Sequence, residues 1–504
     1  MRLSHNLIAG LVNSFWSALI TFAVVPAYLK YLGAESYGLI GFFTTTQALV
    51  VLLDLGLASA INREIARSKS TEELKEAAKL LHTLAILYWG IAALIFIIVI
   101  MLSPLVADYW LQSKHLSTNT VSHAVMLIGI VLACRWPIAL YQGVLVGAQR
   151  LLLQSNINII MVTLSNLGAV AVLAFLSPTI EAYFIWQAIV GIFYVFTIRV
   201  TAWKVVGKPN NLKFDIAKLK RVWRFSLGMS GIGLTSLAFT QLDKVILSKM
   251  LSLEDFGHYM LATLLVSGLY LLISPVYNVI YPRFSALVAL DSKDSLTDLY
   301  CTGARLFTSI FFPVAMILAV FSESILQVWT GSSEIAAITA PVVSFLAIGS
   351  GLHGVMYFPY AMQLAYGLPK VALKNNLILM IALGPLIVFL TLSYGMLGSA
   401  LAWLAVQILH VILGSWLTHQ YLLHNLMKAW LINSVLIPLL ISTVIGTVSY
   451  FYFKVSTYDY YVQALLAGTM LIVSFSLSVL TSLRLRLFIK RHVLPSTFNR
   501  ELTH

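Results

Sequence analysis

An arginine within an apolar run is the residue that most demands a chemical explanation in this sequence. Arg135 sits in such a run, where a cation costs at least about 2.5–3.5 kcal/mol on insertion scales, so it is not expected to face lipid. Pro137 follows it closely, frees a backbone carbonyl and bends the helix, which opens the same level of the bundle. A guanidinium placed there suits forked recognition of a phosphate; the competing assignment is an internal ion pair that fixes two helices. Asn13, Ser17 and Thr21 recur at every fourth position, and so do Ser236, Thr240 and Lys244, so each triplet makes one polar stripe on a helix. The stripes read either as walls of a hydrated cavity or as groups bonded to their own helix and its neighbours. Asp243 and Lys244 stand about 100° apart around one helix and are not expected to point the same way; their pairing would be structural. Asp54 and Asp243 are the clear acids within the apolar runs and, with His353 in GSGLHGV, they are the candidates for coupling to an ion gradient. His410, in a later run, could carry a proton in the same way; for both histidines the competing assignment is a neutral, hydrogen-bonded ring. Arg63 and Arg283 mark the ends of apolar runs, as cytoplasmic anchors or as the basic mouth of a cavity.

The elements that position these residues are long apolar helices. Of 504 residues, 60% are hydrophobic and 10% charged, against about a quarter charged in soluble domains, and a mean hydropathy of +0.90 excludes an ordinary soluble enzyme. Runs of about 20 apolar residues cross about 30 Å of hydrocarbon. About fourteen such spans can be placed, near 7–29, 38–61, 82–105, 122–146, 153–176, 180–202, 225–248, 257–281, 303–322, 338–364, 375–393, 396–417, 429–453 and 460–482. The first is too long for a signal-peptide core and reads as a retained helix. The fold class is therefore all-α, a polytopic membrane protein.

The net charge of +13 tests this alternation. With both termini in the cytoplasm, only Lys30, Lys114, Lys249 and Lys454 fall in gaps assigned outside, and only Arg135 and Lys244 lie more than three residues inside a span. The remaining Lys and Arg, of 32 in all, lie on the cytoplasmic side, as the positive-inside tendency requires. The longest polar gaps, near 62–81, 203–224 and 282–302, leave no room for a nucleotide-hydrolysing domain, and no G-x-x-x-x-G-K-[ST] occurs. Transport must then draw on an ion gradient or on a downhill lipid flux. Cys134 and Cys301 read as small lipophilic side chains, and neither histidine has metal-site spacing. No cofactor, metal, nucleic acid or enzymatic activity is expected, and the chain is expected to act as a monomer. A glycan polymerase or ligase would need a long outer loop with paired carboxylates, which the gap near 106–121 does not provide. Prolines 26, 137, 275, 313, 341, 359, 385 and 438 interrupt the spans, which suits a bundle that bends.

PAYLKYLGAESYG (Pro26 to Gly38) aligns with VILSKMLSLEDFG (Val245 to Gly257), matching Lys30 with Lys249, Leu32 with Leu251, Glu35 with Glu254 and Gly38 with Gly257. The offset equals the distance from the first span to the seventh. It predicts two six-helix bundles, 1–202 and 225–417, related by a pseudo-twofold along the membrane normal, with a cavity between them. A basic linker at 203–224 joins them, and two further helices at 429–482 and a basic tail at 483–504 follow.

YLGAESYGLIGF (Tyr31 to Phe42) and DLGLASAINREIA (Asp54 to Ala66) closely resemble the opening signatures of the bacterial polysaccharide-transport flippases, relatives of the multidrug and toxin extruders and of the peptidoglycan-precursor flippase. The resemblance continues through RWPIALYQGVLVGAQR (Arg135 to Arg150), LDKVILSKMLSLEDFGHYMLA (Leu242 to Ala262) and YPRFS (Tyr281 to Ser285). It implies two bundles of six helices with two helices added. It also implies an inward-to-outward switch in the bacterial inner membrane and an O-antigen or related repeat unit on undecaprenyl diphosphate as substrate. Polymerase and chain-length proteins of the same pathway would be partners. On this resemblance Arg135, Arg63, Lys244 and Arg283 would supply counter-charge for the diphosphate, and the Asn13 and Ser236 stripes a wet lining for sugar. The alternative is a cation-coupled drug exporter, which would be expected to carry more acidic groups in its cavity.

Overall fold

The computed structural model describes residues 2–68, 70–207, 209, 213–423, 426–455, 460–483 and 485–487. Its described residues form helices throughout, joined by short turns; the only strand-like feature among them is an isolated bridge between Gln112 and Ser252. Ten of the helical segments are long and apolar enough to cross a membrane, so the chain is a multi-pass membrane protein. Two of the segments are broken by glycine. Arg2–Val50 is interrupted at Gly33 (φ 77°, ψ 172°) and Pro369–Tyr421 at Gly395 (φ 58°, ψ −140°). An L side chain is disfavoured at such positive φ, so glycine sets both breaks, and each lies between two spans expected from the sequence.

The helices start where the sequence offers caps. The side chains of Ser70, Ser117, Thr179, Asp215 and Ser332 each accept from amides in the first turn of the helix that follows. Along the helices, polarity is arranged for lipid. Phe175, Leu176, Phe389 and Leu392 are exposed, while Ser165, Gln187, Thr308, Ser309, Ser399 and Gln407 are buried. Hydroxyls and amides inside the bundle bond across helices, which supplies cohesion where burial of apolar surface cannot.

The chain divides into two compact units, Met1–Met260 and Leu261–His504. In the first, Arg2–Val50 packs on Leu151–Phe175, and Thr118–Arg135 lies against both Thr71–Leu105 and Ile180–Val206. Ile216–Met250 also lies in this unit and touches Arg2–Val50. In the second, Lys293–Val320 is central, packing on Ser333–Val355, Ile437–Val455 and Tyr460–Leu480.

The two copies of the sequence repeat meet within the first unit. A Cβ on Gly38 would collide with the carbonyl of Leu253, and a Cβ on Gly257 would collide with the carbonyl of Ala34. Gly38 matches Gly257 in the repeat and Ala34 matches Leu253, so the contact is reciprocal. The paired glutamates bind the same loop. Glu35 accepts from the amides of Lys114 (2.5 Å) and His115 (3.1 Å), and Glu254 lies 3.7 Å from the Lys114 ammonium.

Candidate functional site

Thr118–Arg135 ends at Arg135, and a new helix, Ile138–Gly147, begins beyond Trp136 and Pro137. The break expected at Pro137 is present, and Arg135, Trp136 and Ile138 beside it line a cavity of about 460 Å³ within the first unit. Sites that take small molecules measure about 300–1,000 Å³. Ser17, Thr21, Gln47, Asp54, Gln142 and Asn158 are among its lining residues.

Arg135 has only neutral partners. Its Nη1 donates to Gln47 Oε1 (3.3 Å), and its Nη2 donates to Gln187 Oε1 (2.6 Å) and Ser165 Oγ (3.2 Å). The guanidinium carbon stands 5.3 Å from the centre of the Phe43 ring. Among the described residues no carboxylate lies within ion-pair distance of it. The ion-pair assignment for Arg135 is therefore unsupported, and a half-buried cation with amide and hydroxyl neighbours lines the cavity. Those neighbours hold one another. Ser165 donates to Gln187 Oε1 at 2.5 Å, and Gln187 Nε2 donates to the Ser165 carbonyl at 3.2 Å.

The stripe on the first helix lines the same cavity through Ser17 and Thr21. Asn13 Oδ1 accepts from Asn158 Nδ2 at 2.7 Å, and Tyr194 joins the network by donating to Asn158 Oδ1 and accepting from Gln142, both at 2.8 Å. Thr21 also bonds the carbonyl of Ser17 at 2.8 Å, so both assignments for this stripe hold at once.

Asp54 lines the cavity too, and its carboxylate is engaged. It sits where the chain turns through Leu55 (φ 47°) and Gly56 (φ 81°). It accepts from the amides of Gly56 (3.2 Å) and Ala58 (3.3 Å) and from the Tyr88 hydroxyl. Tyr88 in turn stacks on Trp136, 5.4 Å between centroids and 24° between planes. Asp54 thus touches, through two rings, the break that positions Arg135.

The other candidates are placed elsewhere. Lys244 reaches back to Asp243 Oδ1 (3.1 Å) and to the Thr240 carbonyl (2.9 Å), and Tyr259 donates to Asp243 Oδ2 (2.7 Å). Their Cα–Cβ directions differ by about 100°, and the flexible lysine stem spans that difference to make the pair. Ser236 and Thr240 lie half-buried on the same helix, and none of this stripe lines the Arg135 cavity. Arg63 is exposed on Leu57–Arg67 and also lies outside that lining.

In the second unit Arg283 is exposed on Tyr270–Ala289. His353 Nδ1 is 2.9 Å from the Tyr270 hydroxyl, and its ring lies 5.6 Å from that of His410 and 5.9 Å from Trp403. His410 bonds Gln407 at 3.1 Å.

Sequence reasoning missed Gln47, Gln142, Asn158, Ser165, Gln187 and Tyr194, yet a signal was present. Arg135 and Gln142, Asn158 and Ser165, and Gln187 and Tyr194 are each seven residues apart, about two helical turns, so each pair shares a face. Polar residues at that spacing on three consecutive apolar runs mark one shared wall.

Residues 3–288 match the sequence model of a family described as "Polysaccharide biosynthesis protein". Over 420 residues, covering 80% of this chain and 96% of the relative, the sequence is 22% identical to a Shigella flexneri protein named "Putative O-antigen transporter". It is 24% identical over 427 residues to the teichuronic acid biosynthesis protein TuaB of Bacillus subtilis (strain 168), covering 82% of this chain and 81% of the relative. Among solved structures, the lipid II flippase MurJ in its inward closed conformation superposes with a TM-score of 0.70 at 16% identity, covering 97% of this chain and all of the other. This last likeness establishes a shared fold.

Proposed function

The chain belongs to the polysaccharide biosynthesis protein family, and on that premise we propose that it is a flippase for lipid-linked oligosaccharides. In this reading it carries repeat units of O-antigen or another surface polysaccharide on undecaprenyl diphosphate. It moves them from the cytoplasmic to the periplasmic leaflet by alternating access, coupled to an ion gradient. The names of its relatives, an O-antigen transporter, a teichuronic acid biosynthesis protein and a lipid II flippase, support a lipid-linked glycan as cargo.

The observation that carries the reading is Arg135 in a cavity with neutral partners only. A guanidinium already paired to a carboxylate gains little from a second anion. One held by amides and a hydroxyl gains charge-assisted, forked bonds when a diphosphate arrives, and these are about twice as strong as neutral ones. Ser17, Gln142 and Asn158 would meet the first sugar. A cationic drug finds no equivalent attraction here, since the oxygens of Asp54 are taken by two amides and Tyr88. Of the remaining cations, the exposed Arg63 is the one assigned to the approach of the diphosphate in the first unit, since Lys244 is already paired with Asp243.

Dividing two of the ten apolar segments at Gly33 and Gly395, and adding Ile216–Met250 and Tyr460–Leu480, supports about fourteen crossings. The reciprocal glycine contact supports reading the two strips as a structural repeat. For coupling, Asp54 is the first choice, because Tyr88 and Trp136 link it to the Arg135 break; Asp243 and His353 are held by Tyr259 and Tyr270.

Deleting the gene should trap the lipid-linked repeat unit on the inner leaflet, measured by protease-free glycan labelling of spheroplasts. Normal surface glycan in the deletion strain would refute the reading. In proteoliposomes Asp54→Asn should retain basal exchange and lose stimulation by an imposed gradient; undiminished stimulation would move the coupling role to Asp243 or His353.

A further inference from the structure

Four tyrosines of the second unit have no part in the site described so far. Tyr277 and Tyr281 lie one turn apart on Tyr270–Ala289, and Tyr357 and Tyr360 one turn apart on Tyr357–Ala365, the helix packed against it. Tyr277 is nearly parallel to Tyr281 (5.7 Å between centroids, 6° between planes) and to Tyr360 (6.0 Å, 23°). Tyr357 meets Tyr277 at 6.1 Å and 80°, and Tyr360 at 6.5 Å and 84°. Favourable aromatic pairs fall at about 4.5–7 Å, so the four rings form one preorganised cluster.

The rings are half-buried, and none of the four hydroxyls bonds to a described residue or is closed off from its surroundings. A hydroxyl without a partner in apolar surroundings costs about 1–3 kcal/mol by protein measures. Four of them gathered on two membrane-spanning segments require a polar complement. The complement must also match ring faces. A pyranose does both, with an apolar C–H face to lie on an aromatic ring and a rim of hydroxyls to bond the phenols. A quaternary ammonium would also suit aromatic faces, but neither helix carries an acidic residue, and Arg283 sits two positions from Tyr281.

We propose that Tyr277, Tyr281, Tyr357 and Tyr360 form a stacking platform for pyranose rings of the transported glycan. The proposal rests on the flippase reading and adds a sugar-recognition site to it. The test compares two probes bound to the purified full-length protein, the host's own lipid-linked repeat unit and undecaprenyl diphosphate without sugar. The wild type should bind the sugar-bearing lipid about tenfold more tightly, the equivalent of one or two good aromatic contacts. In the double variant Tyr277→Leu, Tyr360→Leu its affinity should fall to that of the bare carrier. Tyr277→Phe, Tyr360→Phe keeps the rings and their packing and should lose about threefold, separating lost stacking from misfolding. Equal affinity of the wild type for both lipids would overturn the platform and leave the flippase reading standing. So would a Leu variant that keeps the preference, or one that instead loses binding of tetraphenylphosphonium. A wild type that binds neither lipid would overturn both.

Discussion

Arg135 in the first unit and Arg305 in the second are both arginines drawn into a membrane bundle, and they are satisfied in opposite ways. Arg305 is 3% exposed. It donates from Nη1 to the Asn433 carbonyl, and from Nη2 to the Ser478 carbonyl (2.9 Å) and the Thr481 hydroxyl (2.7 Å). Two of these acceptors are backbone atoms of the C-terminal helices, so they cannot rotate away, and the guanidinium bolts Lys293–Val320 to that added pair. The acceptors around Arg135 are all carried on side chains, two amides and a hydroxyl, rather than on the backbone, and a cavity adjoins them. Burial of a cation therefore does not mark a binding site by itself. The kind of acceptor decides whether the cation is committed to the fold or held ready for a ligand.

The sharpest way to break this contrast is at Arg135. Arg135→Ala should lower export by at least about 100-fold, with protein abundance unchanged within about twofold, because two charge-assisted bonds to the diphosphate are lost. Surface-glycan gels read against immunoblots would show it. Arg135→Lys keeps the charge without the fork and should lose about tenfold. Gln187→Glu, which places a permanent carboxylate against the guanidinium, should be nearly as severe as Arg135→Ala. If Arg135→Ala instead depletes the protein from the membrane, the two arginines are alike and the contrast is false.

Arg305→Ala should do the converse. Removing the donor takes a charge-assisted bond from the Asn433 and Ser478 carbonyls and from the Thr481 hydroxyl, and bonds to a charged group are worth about 1.5–3 kcal/mol each. The melting temperature of the purified protein should drop by about 5 °C or more, while export per molecule inserted stays near wild type. A loss of export at normal abundance would assign Arg305 to the transport path.

How far these roles were legible beforehand differs between the two arginines. Arg135 stood in the middle of an apolar run beside Pro137, and Ser17 and Thr21 were legible as one polar stripe, because helical periodicity is a property of sequence. Arg305 lies at the end of an expected span, where nothing in the sequence separates it from any other cytoplasmic basic residue. Its acceptors lie 128 and 173 residues away and are main-chain carbonyls, which carry no residue-type signal. The same reason hid the partners of Asp54, whose amide donors are presented by the backbone turn at Leu55 and Gly56. The Gly38 and Gly257 match was visible as a repeat, but that each glycine admits the other copy's carbonyl needed coordinates. Gly38→Ala or Gly257→Ala should each destabilise by about 1–3 kcal/mol through overpacking, and because the two contacts share one interface, the double variant should cost less than the sum of the two. Additive losses would mean that the two contacts act independently.

The smallest effects discriminate best, because they leave both arginines in place. Ser165 and Thr481 are the hydroxyl acceptors of Arg135 and Arg305 respectively, at 3.2 Å and 2.7 Å. Thr481→Val removes one bond from a locked guanidinium and should lower stability by about 0.5–1.5 kcal/mol without touching affinity for undecaprenyl diphosphate. Ser165→Ala removes a bond from a guanidinium that is free to regroup around Gln187 and Gln47, so stability should stay within about 0.5 kcal/mol of wild type. Its effect should appear in binding, as a shift of about two- to fivefold in the affinity for undecaprenyl diphosphate, since the fork is less well aimed before the ligand arrives. A thermal melt and a lipid titration on each variant give four numbers. The contrast holds if the large change lies in the melt for Thr481→Val and in the titration for Ser165→Ala, and it fails if both variants move the same measurement.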